Sequence, residues 1–289
     1  MTALASLVAV SDSTDPNVGA SVWWKLKGEV TVVALADALT ALGLASHAPE
    51  GLSPEVALTR AVATLRGPGR RVRKLRQAGA WLVTDEVEDV AREDLDYSKR
   101  LTVRLDAIGR VKVQGGSWQE EADVVAAYEH HQGHLDTQDI SGWLIEQATR
   151  IGAVGLREGG GIYFVPAPAM YEWRLFGEAL KACAPDSTVY ALPTMRGDEA
   201  LRAVVDSLAT EVEAEVAKVG GQVISGALGV RGLNNRAQEA RGMADKVRRY
   251  ESLLGTNLTK LVEAVEKLDM QIVAATLAAE AQAEEDANG

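Results

Sequence analysis

The sequence predicts an α+β chain in which small helix-and-hairpin units precede one long C-terminal helix. Three observations carry this. The order helix, helix, β-hairpin occurs over residues 31–86 and again over 117–166. A helix–strand–helix segment follows at 167–219. From Leu233 onward, apolar residues return every seven positions. The 289-residue length suits two small domains plus an extension. With 47% apolar and 25% charged residues the composition is globular, and with only 5% aromatics the core must be aliphatic.

Residues 1–30 read as strand-rich at both ends around a turn at Asp12 to Asn17. Val32, Val33, Leu35, Ala36, Leu39 and Leu42 then repeat at helical spacing, and Gly43 suits the helix end. Ser53-Pro54-Glu55 supplies an N-cap, a first-turn proline and a first-turn acid for a second helix, which Gly67-Pro68-Gly69 stops. A hairpin follows, with Arg70 to Leu75 and Ala80 to Thr84 joined at Gln77-Ala78-Gly79. The acidic stretch Asp85 to Asp96 reads as a solvated linker, and Leu101–Val113 as a further hairpin punctuated by Gly109.

The second copy runs from a helix at Ser117–His131, through a break at Gly133 and caps at Asp136 to Asp139, into a helix ending near Ile151. Its hairpin turns at Gly159-Gly160-Gly161. Two helices followed by a hairpin resemble a winged-helix module, with the hairpin as the wing. The resemblance is at the level of fold alone and covers both copies. It implies a fold and does not establish a function.

The expected organisation is therefore a winged-helix-like domain at 1–97, a hairpin with a second such unit at 98–166, and a helix–strand–helix segment at 167–219. A Gly-rich joint at 220–232, a coiled-coil helix at 233–279 and a disordered acidic tail at 280–289 complete it. The heptad row comprises Leu233, Ala240, Val247, Leu254, Leu261 and Leu268, with Leu258, Val265 and Ile272 four residues on from three of them. Its strict spacing predicts a homo-oligomeric seam. Gly255-Thr256-Asn257 offers a break, but the register runs through it, which favours one continuous helix.

No apolar run approaches 18 residues, and the N-terminus lacks a positively charged start, so neither a membrane span nor a secretory signal is expected. Cys183 is the only cysteine, which excludes an intrachain disulfide and fits a reducing cytoplasm. Net charge is −11, the opposite of what phosphate-binding proteins usually carry. Against that background Arg70, Arg71, Arg73, Lys74 and Arg76 place five cations in seven residues of the first hairpin, suited to phosphate contact.

His130 and His134 stand at i,i+4, but Gly133 spoils the helical metal geometry and no Glu follows His130, so no metal site is expected. No phosphate loop, dinucleotide fingerprint or nucleophile elbow occurs, so no cofactor or catalytic residue is assigned. Trp23 and Trp24 must face opposite sides of one strand. The expected function is a non-enzymatic assembly protein that binds itself and either DNA or RNA or a protein partner. The alternatives are a scaffold without nucleic acid, or an enzyme built on carboxylates such as Glu120, Glu121 and Asp123.

Overall fold

A computed structural model describes residues 17–76, 79–89 and 94–288, with 87–89, 94–96 and 284–288 described by backbone alone. Most of the turn expected at Asp12 to Asn17 and most of that at Gln77-Ala78-Gly79 lie outside them, and Asn17 itself opens the first strand. The chain is α+β and divides into two compact units: 17–25, 144–177 and 188–288 form one, and 26–143 with 178–187 the other. Most of the second unit, 26–143, is thus an insertion after the first strand of the first, and 178–187 joins it from between α5 and β10.

The first unit holds a four-stranded antiparallel sheet. Strand β1 (Asn17–Lys25) pairs with β10 (Thr188–Met195) on one side and β9 (Tyr163–Pro166) on the other, and β8 (Val154–Gly155) closes the order β10-β1-β9-β8. Helix α4 (Thr137–Arg150) precedes β8, and α5 (Met170–Cys183) separates β9 from β10. With the insertion removed, the order is β-α-β-β-α-β with the first strand central, the split βαβ or ferredoxin-like arrangement. This differs from the second winged-helix-like unit expected at 117–166. The hairpin there is the β8–β9 pair, but it is joined to β1 rather than standing as a wing.

Alternation explains both faces of this sheet. Trp24 stacks on Tyr163 and meets Trp173 of α5, while Gly177 lets α5 approach Val189 of β10. On the other face Phe164 is fully buried against Tyr250 and a bundle of three helices: α6 (Asp198–Ile224), α7 (Val230–Leu254) and α8 (Thr259–Asn288).

The bundle takes up the heptad row. Leu233, Ala240, Val247, Leu254, Leu258, Val265, Leu268 and Ile272 are buried in one core with Val204, Leu208, Val212 and Val219 of α6, and Leu261 is partly buried beside them. The expected continuous helix is two. Gly255 adopts φ +64°, a left-handed C-cap that L-residues avoid, and α8 restarts at Thr259. Register persists through the turn because both helices fill the same core. The expected joint at 220–232 is narrower than its glycines suggest: Gly220 and Gly221 lie inside α6, and Gly226 to Gly229 makes the turn. Backbone helix extends through 280–288, where a disordered tail was expected.

The inserted unit begins with β2 (Val30–Thr31), which pairs with β7 (His134–Leu135), and continues with α1 (Val32–Ala41) and α2 (Pro54–Ala63). Ser53 caps α2 as its sequence requires, accepting from the Val56 amide at 3.4 Å. The basic hairpin, β3 (Arg70–Lys74) and β4 (Ala80–Asp89), is not an isolated wing. Strand β5 (Asp94–Leu105) pairs with β4 and β6 (Val111–Gly115) with β5, giving an antiparallel meander in the order β3-β4-β5-β6. The acidic stretch expected as a linker forms the ends of β4 and β5. Helix α2 and helix α3 (Trp118–Gly133) supply Ala57, Leu58, Ala61, Val62, Val124 and Tyr128 to one face of this sheet, against Val83, Leu101 and Val103.

Candidate nucleic-acid interface

Register decides which basic side chains share a surface. Arg71 pairs with Thr84, Arg73 with Leu82, Val72 with Val83, and Lys74 with Trp81. Val83 faces the helices, so Arg71 and Arg73 point to the opposite, uncovered face. Arg70 and Lys74 fall on the helix side. There Arg70 lies 3.5 Å from both Asp85 and Glu120, and the Lys74 ammonium sits 6.0 Å from the centre of the Trp81 ring. Arg76 is exposed beyond the end of β3. The five cations of the expected site are therefore divided, two on the open face and two on the covered one.

The other strands replenish the open face. Leu82 pairs with Thr102, Thr102 with Gln114, and Arg104 with Lys112. A bulge between Val83 and Thr84 skips Arg100, so Thr84 pairs with Lys99. Arg100 is thereby turned to the helix side, where Nη1 reaches Asp85 at 2.9 Å and Nε reaches Glu120 at 2.6 Å. Arg71, Arg73, Lys99, Arg104 and Lys112 are left exposed together on the uncovered face. Among the described side chains only Glu86 carries negative charge there, paired with Arg71. Lys112 lies 4.0 Å from Asp106 at the end of the hairpin, while Arg73, Lys99 and Arg104 have no acidic partner among the described residues.

Sequence reasoning found Arg71 and Arg73 by their density and missed Lys99, Arg104 and Lys112, which are scattered along two further strands. The available signal was alternation: Thr102 and Arg104 interleave with Leu101, Val103 and Leu105, and Lys112 stands between Val111 and Val113.

Other charged groups have structural partners. Arg60, on α2, forms a bidentate pair with Asp139 at 2.6 and 2.7 Å and reaches Asp136 at 3.1 Å. Asp136 also caps α4, accepting from the Gln138 and Asp139 amides, and its own amide donates to Asp139. Glu120 belongs to a capping box with Ser117. The Arg100 hydrogen bond first, then the Ser117 amide, hold its carboxyl down at about 2.

His130 stacks on His134 with ring centres 4.0 Å apart and contacts Glu29 at 2.8 Å. No group of three or more His, Cys, Asp or Glu among the described residues could hold a metal ion. The Cys183 thiol donates to the Ala179 carbonyl at 3.2 Å, and burial pushes its pKa up, away from reactive thiolate character. Among the described residues no helix is long and apolar enough to cross a membrane.

The architecture is an α+β protein in which a charged, one-sided sheet is inserted into a split βαβ body that continues into a helical bundle. The chain belongs to a family described as a family of unknown function, DUF6744, which it matches over residues 17–283. No curated protein and no solved structure matches it.

Proposed function

We propose that the chain is a non-enzymatic binding protein whose inserted sheet holds a nucleic-acid backbone on its open face. One observation carries the reading: among the described side chains, five cations share an uncovered surface with Glu86, and with Asp106 at its edge, in a chain of net charge −11. Charge segregated against the overall balance is costly to keep together unless a polyanion meets it. The surrounding Thr84, Thr102 and Gln114 are hydrogen-bonding side chains suited to phosphate oxygens. The test is fluorescence anisotropy with labelled DNA at low and rising salt. Binding by the intact protein, lost in R73E/R104E at unchanged helical content, supports the reading. Absence of binding by the intact protein to any nucleic-acid probe defeats it.

A second reading keeps the expected self-association. The heptad row gives no reason for it, since that row is buried within the chain. Its support is a stripe on α8: Met270, Val273 and Leu277 are exposed, and the last two border a groove of about 340 Å³ with Asn234, Gln238 and Arg241 of α7. Light scattering that finds an oligomer, dissociated by Leu277→Asp, would support this reading; a monomeric wild type would remove it.

A further inference from the structure

The open face of the inserted sheet has an internal pattern beyond its total charge. Strand β3 presents Arg71 and Arg73 along one edge. Strand β4 presents Leu82, Thr84 and Glu86, with no cation. Strands β5 and β6 present Lys99, Arg104 and Lys112. The face is thus two cationic rails separated by a strip without positive charge. Strands lie about 4.8 Å apart, so β3 stands about 10 Å from β5 and about 14 Å from β6.

We infer that this face takes a nucleic-acid duplex, each rail on one phosphate backbone, with the β4 strip spanning the groove between them. The inference rests on the nucleic-acid reading above and names its substrate class. A separation of about 10 to 14 Å brackets the roughly 12 Å width of the B-form major groove and exceeds the roughly 6 Å of the minor groove. Single-strand platforms instead need aromatic side chains spaced to stack successive bases. Here Tyr97, paired with Glu86 at the acidic end, is the one aromatic on the open face among the described residues. Arg71 and Arg73 stand about 6.7 Å apart along β3, close to two 3.4 Å rises of one DNA strand. Contacts to two backbones with few to bases make binding tolerant of sequence.

The experiment compares a labelled 20-base-pair DNA duplex, its single strands and an RNA duplex of the same sequence, using the full chain. The variants are R71Q/R73Q for one rail and R104Q/K112Q for the other, each checked for an unchanged circular dichroism spectrum and melting temperature. The expected result is at least tenfold tighter binding to duplex DNA than to single strands. Either rail variant should flatten the log–log salt slope by about 1.8, from roughly 0.9 per phosphate contact. RNA duplex should bind more weakly than DNA, because its major groove is deep and narrow. Equal or tighter single-strand binding, or a slope that responds to one rail only, overturns the duplex assignment while leaving the nucleic-acid reading standing. No binding to any of the three probes overturns both.

Discussion

The two four-stranded sheets of this protein are used in opposite ways. In β10-β1-β9-β8, Trp24 stacks on Tyr163 and meets the α5 residue Trp173 on one face, and Phe164 is sealed under the bundle on the other. In β3-β4-β5-β6, helices cover one face only, and the other projects mostly Arg, Lys, Thr and Gln, with Leu82 and Glu86 on β4 and Tyr97 on β5. The inner strands of the first sheet are clad on both faces, while its edge strand β10 leaves Tyr190 and Leu192 exposed. A sheet clad on one face has a surface to spare, and its residues are free to be chosen for something other than packing. The covered face of the inserted sheet packs on helices, and its open face carries the cations on which the proposed binding rests.

The packing of the first sheet is most sensitive at Phe164. Its ring is fully buried between β9 and Tyr250. Phe164→Ala should cost about 3–5 kcal/mol, the usual range for emptying an aromatic core site. Chemical denaturation checks it; a loss under about 1 kcal/mol would mean that this face is not clad in solution.

A second test lies where the bundle is fastened to the body. Lys246 is buried, donating to Glu211 at 2.7 Å and to the Ala153 carbonyl at 2.9 Å, while Tyr250 donates to the Gly152 carbonyl at 2.8 Å. Both carbonyls follow the C-terminus of α4, and the bundle supplies their donors. Burial pushes the lysine pKa down despite the nearby glutamate. Glu211→Ala leaves an unpaired buried cation and should cost about 3 kcal/mol, whereas Lys246→Met with Glu211→Leu should recover most of that loss. Urea melts of the single and double variants decide it.

Much of this was legible in sequence, and the reasons for the remainder are physical. Caps announce helix starts because a few local atoms suffice, as at Ser53 and Asp136. The heptad row announced a helix seam, but spacing cannot say whether the partner lies in another chain or across a turn. Gly255 settles that through one left-handed residue. The split βαβ order was hidden because β1 and its neighbours β9 and β10 lie more than 130 residues apart in sequence. The basic face is half visible in sequence: five cations stand within seven residues, yet Arg70 and Lys74 turn to the helix side, and Lys99, Arg104 and Lys112 join only through register.

The helix-covered side of the inserted sheet should also show in its acid limit. Glu120 has its carboxyl held at about 2 by Arg100 and Ser117, below its unfolded value near 4.5. A carboxylate depressed in the folded state adds stability that is complete above the unfolded value and is lost as pH falls toward the folded one. Stability should therefore fall between about pH 4.5 and 2, and Glu120→Gln should flatten that limb while lowering stability at pH 7. Thermal melts across this range test it; an unchanged acid limb in the variant would show that Glu120 contributes nothing there.

The smallest expected effect sharpens the comparison most. Thr102 and Gln114 pair across β5 and β6 on the open face, where neither supports a covering layer. Thr102→Val with Gln114→Ser should move stability by no more than about 0.5 kcal/mol, the usual range for surface sites away from special features. Adding Arg73→Ser and Arg104→Ser should leave the melting temperature nearly unchanged, because neither guanidinium has an acidic partner among the described residues. Fold and binding then separate on the same side chains. If the quadruple variant melts as the wild type does but no longer retains labelled duplex DNA, the open face is dispensable for folding and required for binding. If its melting temperature instead drops by more than about 8 °C, the shift corresponds to more than about 2 kcal/mol for a domain of this size. That face would then be packing against something, and the contrast between the two sheets would fail.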